Sequence, residues 1–138
     1  MIALDTNVLV RVLAADDPDQ LRVALEVMRS GPLWLPKTVL LELEWVLRYS
    51  YEVDRARIAD MVRKLLGLRQ LEVEDRPAVI RALGNYQQGL DFADSLHLAS
   101  SHVAEKLVTF DRVFVNRAAR ITEGEEGGPA VELLSISS

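Results

Sequence analysis

Ile2-Ala3-Leu4-Asp5 is a short apolar run that stops at an acid, and Lys106-Leu107-Val108-Thr109-Phe110-Asp111 repeats the pattern near the other end of the chain. An apolar run of this kind, ending in a polar residue, is consistent with a buried parallel strand. Leu33 to Leu35, Leu71 with Val73, and Val131 to Ile136 supply three further strand candidates. Between them the apolar spacing changes to that of helices. Asp17-Pro18-Asp19-Gln20 reads as a helix start, with Asp17 as cap and Pro18 at the first helical position. Leu21, Ala24, Leu25 and Met28 follow at helical spacing, and Ser30-Gly31-Pro32 ends that helix. From about Thr38 to Tyr51, Val39, Leu43, Val46 and Leu47 recur with a period near 3.6.

Asp54 is placed to cap the next helix, whose stripe is Ile58, Met61, Val62, Leu65 and Leu66 and which Gly67 ends. Two more helices are expected around Pro77 to Gln88 and Phe92 to Glu105, and Glu123 to Pro129 reads as a Gly/Glu-rich loop. Strands alternating with helices predict an α/β fold with a parallel sheet covered by helices on both faces. The 138 residues show no internal repeat and no linker, so residues 1–138 are expected to form a single domain.

Composition narrows the chemistry. Hydrophobic residues make up 49% and charged residues 27%, the balance of an ordinary soluble domain. Without cysteine the chain has no disulfide, no zinc–thiolate site and no cysteine nucleophile. Charge interrupts every apolar run well before the length of a membrane span. Met1 to Asp5 has no basic stretch ahead of its apolar residues, so no secretion signal is read and a cytoplasmic location is expected. The net charge is −5, from 16 Lys and Arg against 21 Asp and Glu, which argues against a broad basic surface for nucleic acid. That objection weakens if several of the acids bind metal. Only Lys37, Lys64 and Lys106 are lysines, so the basic residues are mostly arginines, suited to bidentate phosphate contacts.

Several acids need explaining. Ligands in parallel sheets bind beyond the carboxyl ends of strands, where Asp5 and Asp111 both stand. Within the Thr38–Tyr51 helix, Glu44 has Arg48 four residues on and reads as a solvated, ion-paired surface residue. Glu42 has no cation three or four residues away and borders the expected apolar stripe, so it needs a partner from elsewhere. In Asp91-Phe92-Ala93-Asp94-Ser95-Leu96-His97, Asp91 is the better helix cap and Asp94 lies inside the first turn. Asp5, Glu42, Asp94 and Asp111 together would repel one another unless a hard divalent cation stood between them, and an all-oxygen set suits Mg²⁺ or Mn²⁺. Metal-assisted hydrolysis of a phosphodiester is the chemistry such a cluster predicts.

Four motifs in order carry a resemblance over essentially the whole chain: Asp5-Thr6-Asn7-Val8-Leu9, Leu41-Glu42-Leu43, Asp91-Phe92-Ala93-Asp94-Ser95-Leu96-His97-Leu98-Ala99 and Thr109-Phe110-Asp111-Arg112. They resemble the acidic motifs of PIN-domain nucleases, and most of all the VapC-type toxins of toxin–antitoxin pairs. The resemblance implies a three-layer α/β/α sandwich with a parallel sheet of about five strands, and an Mg²⁺- or Mn²⁺-dependent endoribonuclease. It also implies a homodimer, an RNA substrate and a cognate antitoxin protein. Asp5, Glu42, Asp94 and Asp111 are then the expected metal ligands and catalytic acids, with Asn7 and Thr109 orienting carboxylates or waters. Asp91 is either a helix cap or an aid to a second ion.

No catalytic role is implied for His97, which is expected to be packed or hydrogen-bonded, and His102 reads as a surface residue. Ser95 has no adjacent base and supports no serine-hydrolase reading. One rival is a haloacid-dehalogenase-like phosphatase with Asp5 as nucleophile, which usually has a second aspartate where this chain has Asn7. Another is a non-catalytic PIN-like module that binds RNA or protein. Trp45, Leu47, Tyr49 and Tyr51 cannot all face the core of one helix, so some are expected to meet an antitoxin or a second copy.

Overall fold

Asp5 both ends the first strand and starts the first helix. In the computed structural model, which describes residues 1–121 and 129–136, β1 (Ile2–Ala3) passes through Leu4 and Asp5 into α1 (Thr6–Ala14). The sequence reading passed over this helix, although Asp5 ahead of Leu9 and Val10 is a cap followed by a buried pair. α2 (Pro18–Arg29) begins as expected, with the Asp17 carboxylate accepting from the backbone N–H of Asp19 and Gln20, both at 3.1 Å. β2 (Leu33–Leu35), α3 (Lys37–Tyr49), α4 (Arg55–Leu66) and β3 (Leu71–Val73) follow close to the expected bounds.

In the second half come α5 (Arg76–Gln87), α6 (Phe92–Ala99), β4 (Lys106–Thr109), α7 (Arg112–Ile121) and β5 (Ala130–Leu133). Three expectations change here. α6 stops at Ala99 and does not continue to Glu105, because Ser100 closes it with its N–H on Leu96 O and residues 101–104 turn toward β4. α7 was not foreseen, although Phe114, Ala118 and Ile121 recur at helical spacing. β5 runs one residue earlier than expected and ends at Leu133. Of the expected loop Glu123–Pro129, residues 123–128 lie outside the described residues.

All five strands pair in parallel, as an α/β fold requires, but they pair as a three-stranded sheet ordered β1-β2-β3 and a two-stranded sheet β4-β5. Contacts divide the chain likewise into two compact units, residues 1–76 and 77–138. In the first, Leu33 and Leu35 of β2 and Leu71 and Val73 of β3 are buried, with Leu9, Leu40, Leu43, Ile58 and Val62 in the helices. In the second, Leu90, Leu98, Phe114, Ala118 and Ile121 form one cluster, against which Leu107 and Val131 pack. Tyr86 and Phe92 meet edge to face with ring centroids 5.1 Å apart, a geometry aromatic quadrupoles favour. Burying each large apolar side chain contributes about 1.5–3 kcal/mol, which makes these clusters the principal restraint on the neighbouring acids.

Candidate active site

In residues 1–76 the acids stand at the carboxyl end of the sheet, where parallel strands place ligands. Asp5 is exposed at the end of β1, and its Oδ1 accepts from the Thr6 N–H at 2.8 Å. Asn7 is exposed in the first turn of α1 and lines a cleft of about 620 Å³ with Val8, Arg11, Gln20, Arg22 and Val23. At the neighbouring strand ends, Glu74 Oε1 accepts from the Lys37 N–H at 2.9 Å. It thereby caps α3, whose own N-cap is Pro36 and offers no side-chain acceptor. Lys37 Nζ pairs with Asp75 at 3.1 Å. Sequence reasoning missed this use of Glu74 and Asp75, because the groups lie 37 and 38 residues from Lys37 and no local pattern joins them. A larger cavity of about 840 Å³ lies among Met1, Pro32, Arg69, Gln70 and Arg76, at the amino ends of the same strands and away from these acids.

Glu42 and Glu44 exchange the surroundings expected of them. The buried stripe of α3 is Leu40, Leu43, Glu44 and Leu47, about one position round the helix from the stripe read in the sequence. Glu44 is therefore not a solvated surface residue: it is 2% exposed, with its carboxylate on the Arg48 guanidinium at 2.7 Å. The expected pairing holds, but in a buried setting. Glu42 is exposed and does not border the buried stripe, so burial does not force a partner on it.

In residues 77–138 three carboxylates sit at helix starts. Asp91 caps α6, accepting from the Asp94 N–H at 3.2 Å, and Asp94 occupies the first turn as expected. Asp111 caps α7 through Oδ1, which accepts from the N–H of Val113 at 2.9 Å and of Phe114 at 3.2 Å. Thr109 Oγ1 accepts from the Asp111 N–H at 3.0 Å and so fixes the bend that presents this acid. Burial pushes the Asp94 carboxyl above the usual carboxylate range, and the charges of Asp91 and Asp111 push it further. His97 and Arg117 pull in the opposite direction. His97 is exposed, contrary to the packed position expected, because Leu96 and Leu98 take the core-facing positions of α6. Arg117 was missed together with α7, whose apolar spacing was the available signal.

Asp94 has an anionic neighbourhood and a raised proton affinity, which is the electrostatic condition a hard cation relieves. The candidate donors are all oxygens, so they fit Mg²⁺ or Mn²⁺ and not a thiophilic metal. Among the described residues, no group of three or more His, Asp and Glu side chains stands in metal-holding proximity as the side chains are placed. No described helix is long and apolar enough to cross a membrane.

The PIN domain family matches residues 2–120, a span that includes every acid discussed above. The chain belongs to the PIN-domain family. PIN domains are typically metal-dependent nucleases, so membership gives the acid-bearing strand and helix ends a chemical context. Comparison with curated proteins finds no match.

Proposed function

We propose that this PIN-domain chain is an Mg²⁺- or Mn²⁺-dependent endoribonuclease acting as the toxin of a toxin–antitoxin pair. The observation that carries the nuclease reading is the PIN-family match over residues 2–120, a span that holds all four acids, and the carboxylates of Asp91 and Asp111 acting on Asp94 support it. Asp5, Glu42, Asp94 and Asp111 are assigned as the ligands and catalytic acids, with Asp91 as the candidate for a second ion. The bound ion would activate a water and offset charge developing on the transferred phosphate.

The protein's own groups prepare these acids. Asp5 and Asp111 each use Oδ1 for a helix-capping hydrogen bond, and no described residue hydrogen-bonds Oδ2 of either. One carboxylate oxygen is thus immobilised while the other is left to bind. Thr109 holds the Asp111 backbone, which is the orienting role proposed for it. Arg22, largely exposed in the cleft beside Asn7, has the fork geometry for backbone phosphate, whereas Arg11 in the same cleft is paired with Asp16. An RNA substrate, a cognate antitoxin, a homodimer and a cytoplasmic location complete the reading.

The test incubates the purified chain with structured and single-stranded RNAs in Mn²⁺, Mg²⁺ or EDTA, beside Asp94→Asn. Cleavage should require metal and fall at least about a hundredfold in the variant, since even groups that only support a ligand are worth 10–100-fold. Equal cutting by wild type and variant would expose a contaminant, and cutting in EDTA would remove the mechanism. For the toxin role, expression of the chain should arrest growth, and co-expression of a small neighbouring reading frame should relieve the arrest.

A further inference from the structure

Thr38, Glu42, Trp45 and Tyr49 are spaced four, three and four residues apart on α3, which places them along one face, and all four are exposed. Trp45 is 55% and Tyr49 58% exposed, large values for rings of this size. Their centroids are 5.3 Å apart with planes inclined at 46°, and the Arg48 guanidinium carbon lies 4.5 Å from the Tyr49 ring centroid. Arg48 is held by the buried Glu44, so the cation over the ring is fixed in place. At 1.5 Å rise per residue, Trp45 lies about 4.5 Å and Tyr49 about 10.5 Å along the helix axis from Glu42.

We infer that Trp45 and Tyr49 form a base-stacking platform for single-stranded RNA, receiving the nucleotides that flank the bond addressed by Glu42. The inference rests on the nuclease reading for its direction and on α3 for its geometry. A chain of net charge −5 has little broad basic surface to offer phosphates, so RNA affinity from uncharged contacts carries more weight. Stacking of bases on aromatic rings supplies affinity without net charge and tolerates any base sequence. A protein partner fits this face less well. Two half-exposed aromatic side chains offer roughly 200 Å², whereas a stable interface buries about 800 Å² per partner. Thr38, Glu42 and Ser50 nearby are polar and exposed, so they do not extend the apolar area.

The experiment uses Trp34→Phe, which leaves Trp45 as the sole tryptophan, in EDTA so that no cutting occurs. Titration with a single-stranded oligouridylate should quench Trp45 fluorescence to saturation, and a duplex of equal length should not. By anisotropy of a labelled oligonucleotide, Trp45→Leu and Tyr49→Ala should each weaken binding about tenfold. Trp45→Phe should stay within about threefold of wild type, which separates a lost ring from a lost fold. With metal, Trp45→Leu should raise KM and leave kcat near wild type. Absence of quenching, unchanged binding by Trp45→Leu, or conversion of a dimer to a monomer by Trp45→Leu in light scattering would each overturn the platform. The last outcome would assign the face to a second copy of the chain. Asp94→Asn keeps the two readings apart: it should bind the oligonucleotide like wild type in EDTA. If it also cuts like wild type, the nuclease assignment fails while the binding result still stands.

Discussion

The paired acids of residues 1–76 and the acid in the first turn of α6 are treated differently, although residues 77–138 also pair Glu132 with Lys106 at 2.7 Å. In residues 1–76, Glu44 is paired with Arg48, Asp75 with Lys37 and Asp16 with Arg11, at N–O distances of 2.7 to 3.1 Å. In residues 77–138, burial raises the proton affinity of Asp94, and the carboxylates of Asp91 and Asp111 raise it further. The same side-chain chemistry thus serves opposite ends. An acid matched to a cation is neutralised where it stands, whereas an acid set among acids is costly unless a cation or a proton intervenes. Burial alone does not mark the candidate catalytic acids, since the most buried acid, Glu44, is a structural one and Asp5 and Glu42 are exposed.

The largest effect is expected within α3. Glu44→Ala removes the buried carboxylate from Arg48, which keeps its contact with Tyr49, and should cost about 2 kcal/mol, below the range for a fully buried pair because Arg48 is partly exposed. Glu42→Ala, two residues away and exposed, should stay within about 0.5 kcal/mol. Chemical denaturation of both variants decides the matter. Similar losses at the two positions would erase the distinction drawn between them.

Next in size is the cap on α7. Asp111→Ala loses the acceptor for Val113 and Phe114 and should cost about 1 kcal/mol, while Asp111→Asn keeps an acceptor and should cost little. Both should lose cleavage. A variant that is stable but inactive, set beside one that is destabilised and inactive, would separate the charge of this acid from its capping role.

Asp94→Asn should move stability the other way. Because the Asp94 carboxyl titrates above its ordinary range in the folded chain, ionising it at neutral pH costs folding free energy. That cost is present above the folded pKa and disappears as the pH falls below the unfolded one. The amide should therefore melt a few degrees higher than wild type at pH 7, with the gain closing in acid. A lower melting temperature at pH 7 would place Asp94 with the structural acids.

The smallest effect belongs to Asp16. Its pKa is lowered, chiefly by the hydroxyl of Tyr51 at 3.0 Å and also by Arg11. The resulting stability is present above the ordinary aspartate range and lost as pH falls through the lowered value. Tyr51→Phe should lower the melting temperature slightly at pH 7 and not at all in strong acid. A deficit independent of pH would mean that the ring, and not its hydroxyl, is what matters.

The parts legible in the sequence were local. Asp17 and Asp54 were recognisable as caps because a carboxylate two or three residues ahead of free backbone N–H groups acts within one turn. The short parallel strands were legible from uninterrupted apolar runs. Pattern alone fails where two functions share a residue: Asp5 and Asp111 read as strand ends, which hides the helices that they cap, α1 and α7. The stripe of α3 was read about one position off, because Val39 and Val46 compete with Leu40 in a helix rich in apolar residues and a charged residue, Glu44, takes a core position. That small rotation was enough to exchange the surroundings of Glu42 and Glu44.

Order along the chain was therefore enough to establish the alternation of strands and helices, the caps by Asp17, Asp54 and Asp91, and a succession of acids that marks a PIN domain. Which acid is neutralised depended on tertiary structure, since a carboxylate's state reflects every charge and buried atom within several ångströms, and these come from distant positions. Glu74 reaching the start of α3, and Asp111 acting on Asp94, are contacts between elements that no local spacing encodes. Backbone propensity acts within a turn or two, whereas electrostatics and packing act through space, so only the folded chain could sort its acids.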